Sequence, residues 1–163
     1  MIWWSLVLLV VLAFGLGALL GAPFVPLLRR DVETALDLGN VKAGSRVLDL
    51  GSGDGRLLLA VAKRGGMATG YEINPVLWLW SWLRLWPYRH RVKVHLGNYW
   101  RASWPEVDVI IIFGLRRLMP RLAQELRRRS TSGQLVSYVF QLPGQQPVRQ
   151  TANTYVYRLP LAR

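Results

Sequence analysis

The chain has no cysteine, only two histidines (His90 and His95), and only Lys42, Lys63 and Lys93 as lysines among its 21 basic side chains. Without cysteine, disulfides and thiolate metal sites are excluded, and two histidines make a poor metal set. Neither histidine has an acid close by in sequence, which suits structural or solvent-facing roles. Acids are scarce as well. Nine Asp and Glu leave a net charge of +12, mostly from arginine, and such a surface attracts phospholipid headgroups, nucleic acid or acidic protein. Charge of either sign is missing from the start of the chain, where no charged side chain precedes Arg29.

What fills that start is "MIWWSLVLLVVLAFGLGALLGAPFVPLL". About 20 apolar residues cross a bilayer core as a helix, and Ile2 to Leu20 supply that length, with Trp3 and Trp4 where an interfacial belt would sit. A cleaved signal peptide competes with this reading. However, nothing basic precedes the apolar run, and Pro23 follows Ala22, the only plausible small-residue cleavage site. We therefore expect one N-terminal transmembrane helix. Arg29 and Arg30 come after it, so the positive-inside rule puts the rest of the chain in the cytoplasm. Gly15, Gly17 and Gly21 could let two such helices approach closely.

Beyond the anchor, strand and helix patterns alternate. "RVLDL" (46–50), "MATGYEI" (67–73), "VKVHL" (92–96), "VDVIIIF" (107–113), "QLVSYVFQL" (134–142) and "TYVYRL" (154–159) read as strands, and stretches 56–65, 75–86 and 116–129 as helices. The expected fold class is α/β: a Rossmann-like, mostly parallel sheet with helices on both faces, preceded by the membrane helix. Ligands then bind at the carboxyl ends of the strands. Some ten residues join the third and fourth strands and no useful helix fits between the last two, so the domain is trimmed.

At the first strand end stands "DLGSGDG", Asp49 to Gly55. Its glycines form a concave turn whose following helix offers N-terminal amides. Glu72, at the end of the second strand, is placed to accept bonds from both hydroxyls of a ribose. The spacing is G-x-G-x-G rather than the dinucleotide G-x-G-x-x-G, and Asp49 and Asp54 would repel a pyrophosphate. Two carboxylates suit a cationic amine and sulfonium better.

"DLGSGDG" followed by "YEIN" resembles the first two motifs of the seven-strand S-adenosylmethionine-dependent methyltransferases. More narrowly, the N-terminal apolar helix, "APFVP", "VLDLGSGDGR", "GYEINPVL", "IIFGLRRLMPRL" and "VFQLPGQQP" together resemble the small membrane-anchored methyltransferases related to the ATP synthase c-subunit lysine methyltransferase. The resemblance implies S-adenosyl-L-methionine as cofactor. Gly51, Gly53 and Gly55 would approach its methionine end, with Asp49 and Asp54 orienting the amino group directly or through water. Glu72 would hold the ribose and Ile73 would lie against the adenine. Asn98 stands where many such enzymes have Asp to accept from the adenine amino group.

That Asn98 is one departure from the wider pattern, and there are two more. "FGLRRLM" lacks the Asn/Asp-Pro-Pro-aromatic tetrapeptide of DNA and glutamine methyltransferases, and Gln145 follows "LPG" where the family often has tryptophan. By this reading residues 1–22 are a transmembrane anchor, 23–43 a connecting segment and N-terminal helix, and 44–163 the methyltransferase domain. The acceptor is expected to be a lysine of a membrane-associated protein, framed by an aromatic collar drawn from Phe24, Phe113, Tyr138 and Phe140. A lipid-soluble small molecule or RNA as acceptor, or a catalytically silent cofactor-binding scaffold on the membrane, are the alternatives, and nucleic acid is the lesser expectation among partners.

The tryptophans leave two readings open. Trp78, Trp82 and Trp86 recur every four residues and could pack on the sheet, yet Trp80 and Leu83 make that helix apolar nearly all round, as a membrane interface would require. Arg127 to Arg129 end a helix as a solvated run or as a phosphate site.

Overall fold

A computed structural model describes residues 3–4 and 26–161. The expected span at residues 2–20 and Phe24 fall almost wholly outside the described residues. Among the described residues no helix is long and apolar enough to cross a membrane.

Helix α1 (Arg29–Leu38) leads into β1 (Arg46–Leu50), α2 (Arg56–Lys63), β2 (Met67–Glu72), α3 (Pro75–Leu85), β3 (Val92–Leu96), β4 (Val109–Ile112), α4 (Met119–Arg128), β5 (Gly133–Tyr138), β6 (Arg149–Gln150) and β7 (Thr154–Leu159). The strands form one sheet in the order β3-β2-β1-β4-β5-β7-β6. The first five pair in parallel, while β7 runs antiparallel to both β5 and β6. Neighbours depart in opposite directions from β1 and β4, so a crevice is expected at the carboxyl ends of these two strands.

The alternation of side chains along each strand divides the core in two. Val47, Val109, Ile111, Val136 and Val156 face one way, against Val32 and Leu36 of α1, Leu57 and Val61 of α2 and Leu85 of α3. Leu48, Ile110, Leu135 and Tyr157 face the other way, against Met119, Leu122 and Leu126 of α4. Half-buried Trp100 and Trp104, from the β3–β4 connection, cover more of this second face. Arg129 pins that connection: it donates to the carbonyls of Ala102 and Trp100 at 2.8 and 3.2 Å and lies 4.4 Å from the Trp104 ring centroid. Glu125 accepts from both Arg128 and Arg129, so two of the three arginines in the basic run serve the fold.

Helix α3 starts where the sequence dictates. Asn74 Oδ1 accepts from the amides of Val76 and Leu77 at 2.9 and 3.3 Å, and Pro75 needs no amide partner in the first turn. Such a cap contributes about 1 kcal/mol. The helix ends one residue earlier than its apolar pattern suggests, giving way to a 3₁₀ turn over Trp86–Tyr88.

The larger difference is at β5, which stops at Tyr138 rather than running to residue 142. Val139 adopts φ +68° and turns the chain, and Ser137 Oγ donates to the carbonyl of Phe140 at 2.6 Å across that turn. The short strand β6 lies in the turn-rich stretch after "PGQQP", where the sequence carries no strand pattern.

Candidate active site

The glycine turn fits the carboxyl end of β1 because three of its residues have left-handed φ: +99° at Gly51, +55° at Gly53 and +77° at Gly55. The amides of Gly51 and Ser52 both donate to the carbonyl of Tyr71, at 3.1 and 3.0 Å, which fastens the turn to β2. The glycines serve different ends. Among the described residues a Cβ on Gly51 would meet nothing within 4 Å, so the backbone there borders space that a ligand can enter. A Cβ on Gly55 would lie 2.8 Å from Leu85 Cδ1 and 2.9 Å from Ser81 Cβ. Gly55 therefore makes room for α3.

Glu72 closes the other side. Its carboxylate is 7% exposed and accepts from the backbone amide of Gly53 at 2.7 Å and from that of Asn74 at 2.8 Å. Burial raises its pKa, and the hydrogen bonds from Asn74, Gly53 and Ile73 oppose that rise. A carboxylate has about four lone-pair sites, so Glu72 can fix the turn and still accept from a ligand. Ile73, half-buried, follows it at the rim.

Asp49 lies beneath this turn, 2% exposed, and its Oδ1 has no hydrogen-bond partner among the described residues. Desolvation first, then the charges of Glu72 and Asp54, push its pKa up to about 8. Ser52 Oγ, buried close by in sequence, is likewise without a partner. Gly70 makes room for it, since a Cβ there would come within 2.7 Å of Ser52 Cβ. Buried polar atoms are nearly always satisfied, so an unpartnered acid beside a second acid marks a place suited to a cationic donor.

Asp54 is turned elsewhere. Its carboxylate pairs with Arg56 at 2.9 Å and Arg84 at 2.8 Å. Burial alone would raise its pKa, but the hydrogen bond and charge of Arg56 and the charge of Arg84 hold it below the usual carboxylate range. Arg56 also donates to the Leu27 carbonyl. Asp54 thus joins the turn, α2, α3 and the segment before α1. Asn98 sits at the β2–β3 rim beyond Gly97, whose amide donates to the Glu72 carbonyl at 2.8 Å. Its Oδ1 accepts from the Trp100 amide at 3.0 Å, leaving the side-chain NH₂ and a second lone pair for a ligand.

The collar candidates separate. Phe113 and Tyr138, at the ends of β4 and β5, have ring centroids 5.0 Å apart. Phe140 packs instead against the core on the α4 face, because the turn at Val139 carries it there. Burial first, then a hydrogen bond and charge from Asp31, raise the Tyr138 pKa. Asp31, in the first turn of α1, is thus the acid nearest in effect to the Tyr138 hydroxyl. Asp31 is a rim residue that the sequence does not single out. Only its place in the first helical turn after "LLRR" marks it, and that is also where an acid stabilises a helix.

The ANTKMT methyltransferase domain matches residues 49–149. The chain is 36% identical over 107 residues to the ATP synthase c-subunit lysine N-methyltransferase of Xenopus laevis, a match covering 64% of this chain and 47% of that protein. It is 35% identical over 135 residues to the adenine nucleotide translocase lysine N-methyltransferase of Mus musculus, covering 79% of this chain and 58% of that one. The chain spans about half the length of these relatives. A solved RNA methyltransferase of Salinibacter ruber, in complex with S-adenosyl-L-homocysteine, superposes with a TM-score of 0.78 at 26% identity, over 83% of this chain and 94% of that one. The strand order, the glycine turn and the match across Asp49 to Arg149 agree, and the chain belongs to the ANTKMT methyltransferase domain family.

Proposed function

We propose that this chain is an S-adenosylmethionine-dependent protein-lysine N-methyltransferase acting on a membrane-associated protein. The observation that carries the reading is the buried, unpartnered Asp49 carboxyl under a glycine turn, in a chain whose relatives are named lysine N-methyltransferases. The residues fit the cofactor: Gly51 leaves open space where a Cβ would stand, and two buried acids lie beside it. Asp49 and the backbone of Gly51 and Gly53 would hold the cationic methionine end, Glu72 the ribose hydroxyls, and Ile73 and Asn98 the adenine. When bound, the cofactor supplies an electrophilic methyl group on a sulfonium.

The rim of β4 and β5 has the other task. A lysine amine attacks only when neutral, and it must lose its water shell to do so. Phe113 and Tyr138 offer an apolar wall, and the charge of Asp31, in the first turn of α1, favours an ammonium near it. The uncharged run 2–20, followed by Arg29 and Arg30, supports a single-pass anchor with the domain on the cytoplasmic side. Tethering raises the effective concentration of a membrane substrate.

The test incubates detergent-solubilised full-length chain with methyl-labelled cofactor and a membrane extract. The expected result is label recovered as methyllysine after acid hydrolysis, at a rate rising with pH toward the lysine pKa of about 10.4. Label found only in lipid or RNA would overturn the lysine reading. RNA is the second reading because of the likeness to the Salinibacter ruber RNA methyltransferase.

A further inference from the structure

The solvent face of α3 is built like a face meant for burial. Leu79, Trp82, Leu83 and Trp86 follow the i, i+3, i+4, i+7 spacing, and with Trp80 they are 40–58% exposed. The inner face needs only Leu77, Ser81 and Leu85, with Ser81 set against Gly55. Trp78 is half-buried and donates from Nε1 to the Val94 carbonyl at 3.2 Å. The packing explanation therefore accounts for Trp78 and leaves Trp82 and Trp86 without a function in the fold.

Charge decides what covers this face. No Asp or Glu occurs from Ile73 to Pro105, while Arg84, Arg89, Arg91, Lys93 and Arg101 all fall in that stretch. Arg89 lies 4.8 Å from the Trp86 ring centroid, and Trp82 meets Trp86 edge-on at 4.8 Å. Between α3 and the edge strand β3 runs a groove of about 250 Å³ with an apolar floor, and Arg89 and Lys93 line it. A second copy of the chain would set these cations against themselves. Nucleic acid would use the rings and arginines but has no use for Leu79 and Leu83. Tryptophan with aliphatic side chains, edged by arginine and lysine, matches the headgroup region of an anionic bilayer. Helices α1, α2 and α3 share one face of the sheet, and the apolar N-terminal run precedes α1 in the sequence.

We propose that the outer face of α3, with Arg89 and Lys93 at its edge, docks on an anionic phospholipid surface as a second membrane contact. The cysteine-free chain allows a direct test. Full-length Leu83→Cys, labelled with a small fluorophore, is reconstituted into phosphatidylcholine vesicles with or without phosphatidylglycerol. Gln124→Cys, exposed on the opposite face, is the control. Lipid-borne nitroxide should quench the probe at 83 several-fold more than the probe at 124. That quenching should fall in phosphatidylcholine alone, in high salt, and after Trp82→Ser with Trp86→Ser. Arg89→Glu with Lys93→Glu should act like the salt. Equal quenching at 83 and 124, no dependence on phosphatidylglycerol, or a position-83 probe protected only by self-association or added RNA would overturn the proposal. None of these readouts depends on methyl transfer, so failure here and failure of the enzymatic reading are distinguishable.

Discussion

The two halves of the strand-end rim are built differently. Around β1 and β2, two neighbouring strand ends are tied through backbone groups: Glu72 accepts from Gly53 and Asn74, the turn amides donate to Tyr71, and Asp49 lies buried beneath them. Around β4 and β5, the rim is assembled from Asp31, Phe113 and Tyr138, which are far apart in sequence. The first half is held by hydrogen bonds between adjacent strand ends. The second is a pair of rings near one acid.

That contrast breaks most completely at Gly51. We predict that Gly51→Val abolishes cofactor binding by calorimetry, since its side chain fills the open space beside the turn at a φ of +99°. The strain should also cost about 1–3 kcal/mol of stability, and retained binding would sink the placement. Glu72→Ala comes next. It frees the Gly53 and Asn74 amides and removes the proposed ribose acceptor, so affinity should fall by about 1.5–3 kcal/mol. An unchanged affinity would reduce Glu72 to a structural strut. Tyr138→Phe sharpens the comparison from the other half. It removes the hydroxyl that Asp31 influences and should leave cofactor affinity unchanged while lowering the methylation rate a few-fold. A loss of cofactor binding there would mean the two halves are not separable.

The first half is legible in the sequence because its information is local. A strand, a glycine turn and a helix follow one another from Arg46 to Lys63, and Glu72 marks the next strand end. The sequence does not show how Asp54 and Gly55 pack because their partners are remote. Arg84, thirty positions away, takes Asp54, and Ser81 and Leu85 occupy the space a side chain on Gly55 would need. It runs β5 too far because "SYVFQL" is as apolar as any strand, while the turn depends on Val139 at positive φ and a Ser137 hydrogen bond. Helix α3 is ambiguous because an apolar period says which residues share a face. It does not say whether that face looks inward.

Asp49 offers the most direct test of the cofactor site. Its pKa of about 8 stands above the ordinary 3.8, so the cofactor-free fold binds a proton there that the unfolded chain releases. Stability from this group is full below about pH 4 and is lost as pH rises through about 8, so Asp49→Asn should melt higher than the parent, by a gap that widens across that window. A cation bound beneath the turn reverses the preference and expels the proton. Titration calorimetry of S-adenosylmethionine binding at pH 7, in buffers of different ionisation enthalpy, should register release of about one proton from the parent chain. Asp49→Asn should release none and bind more weakly by about 1.5–3 kcal/mol. Equal affinity for the two chains with no proton released from either would contradict the assignment of Asp49 to the cofactor's cationic end.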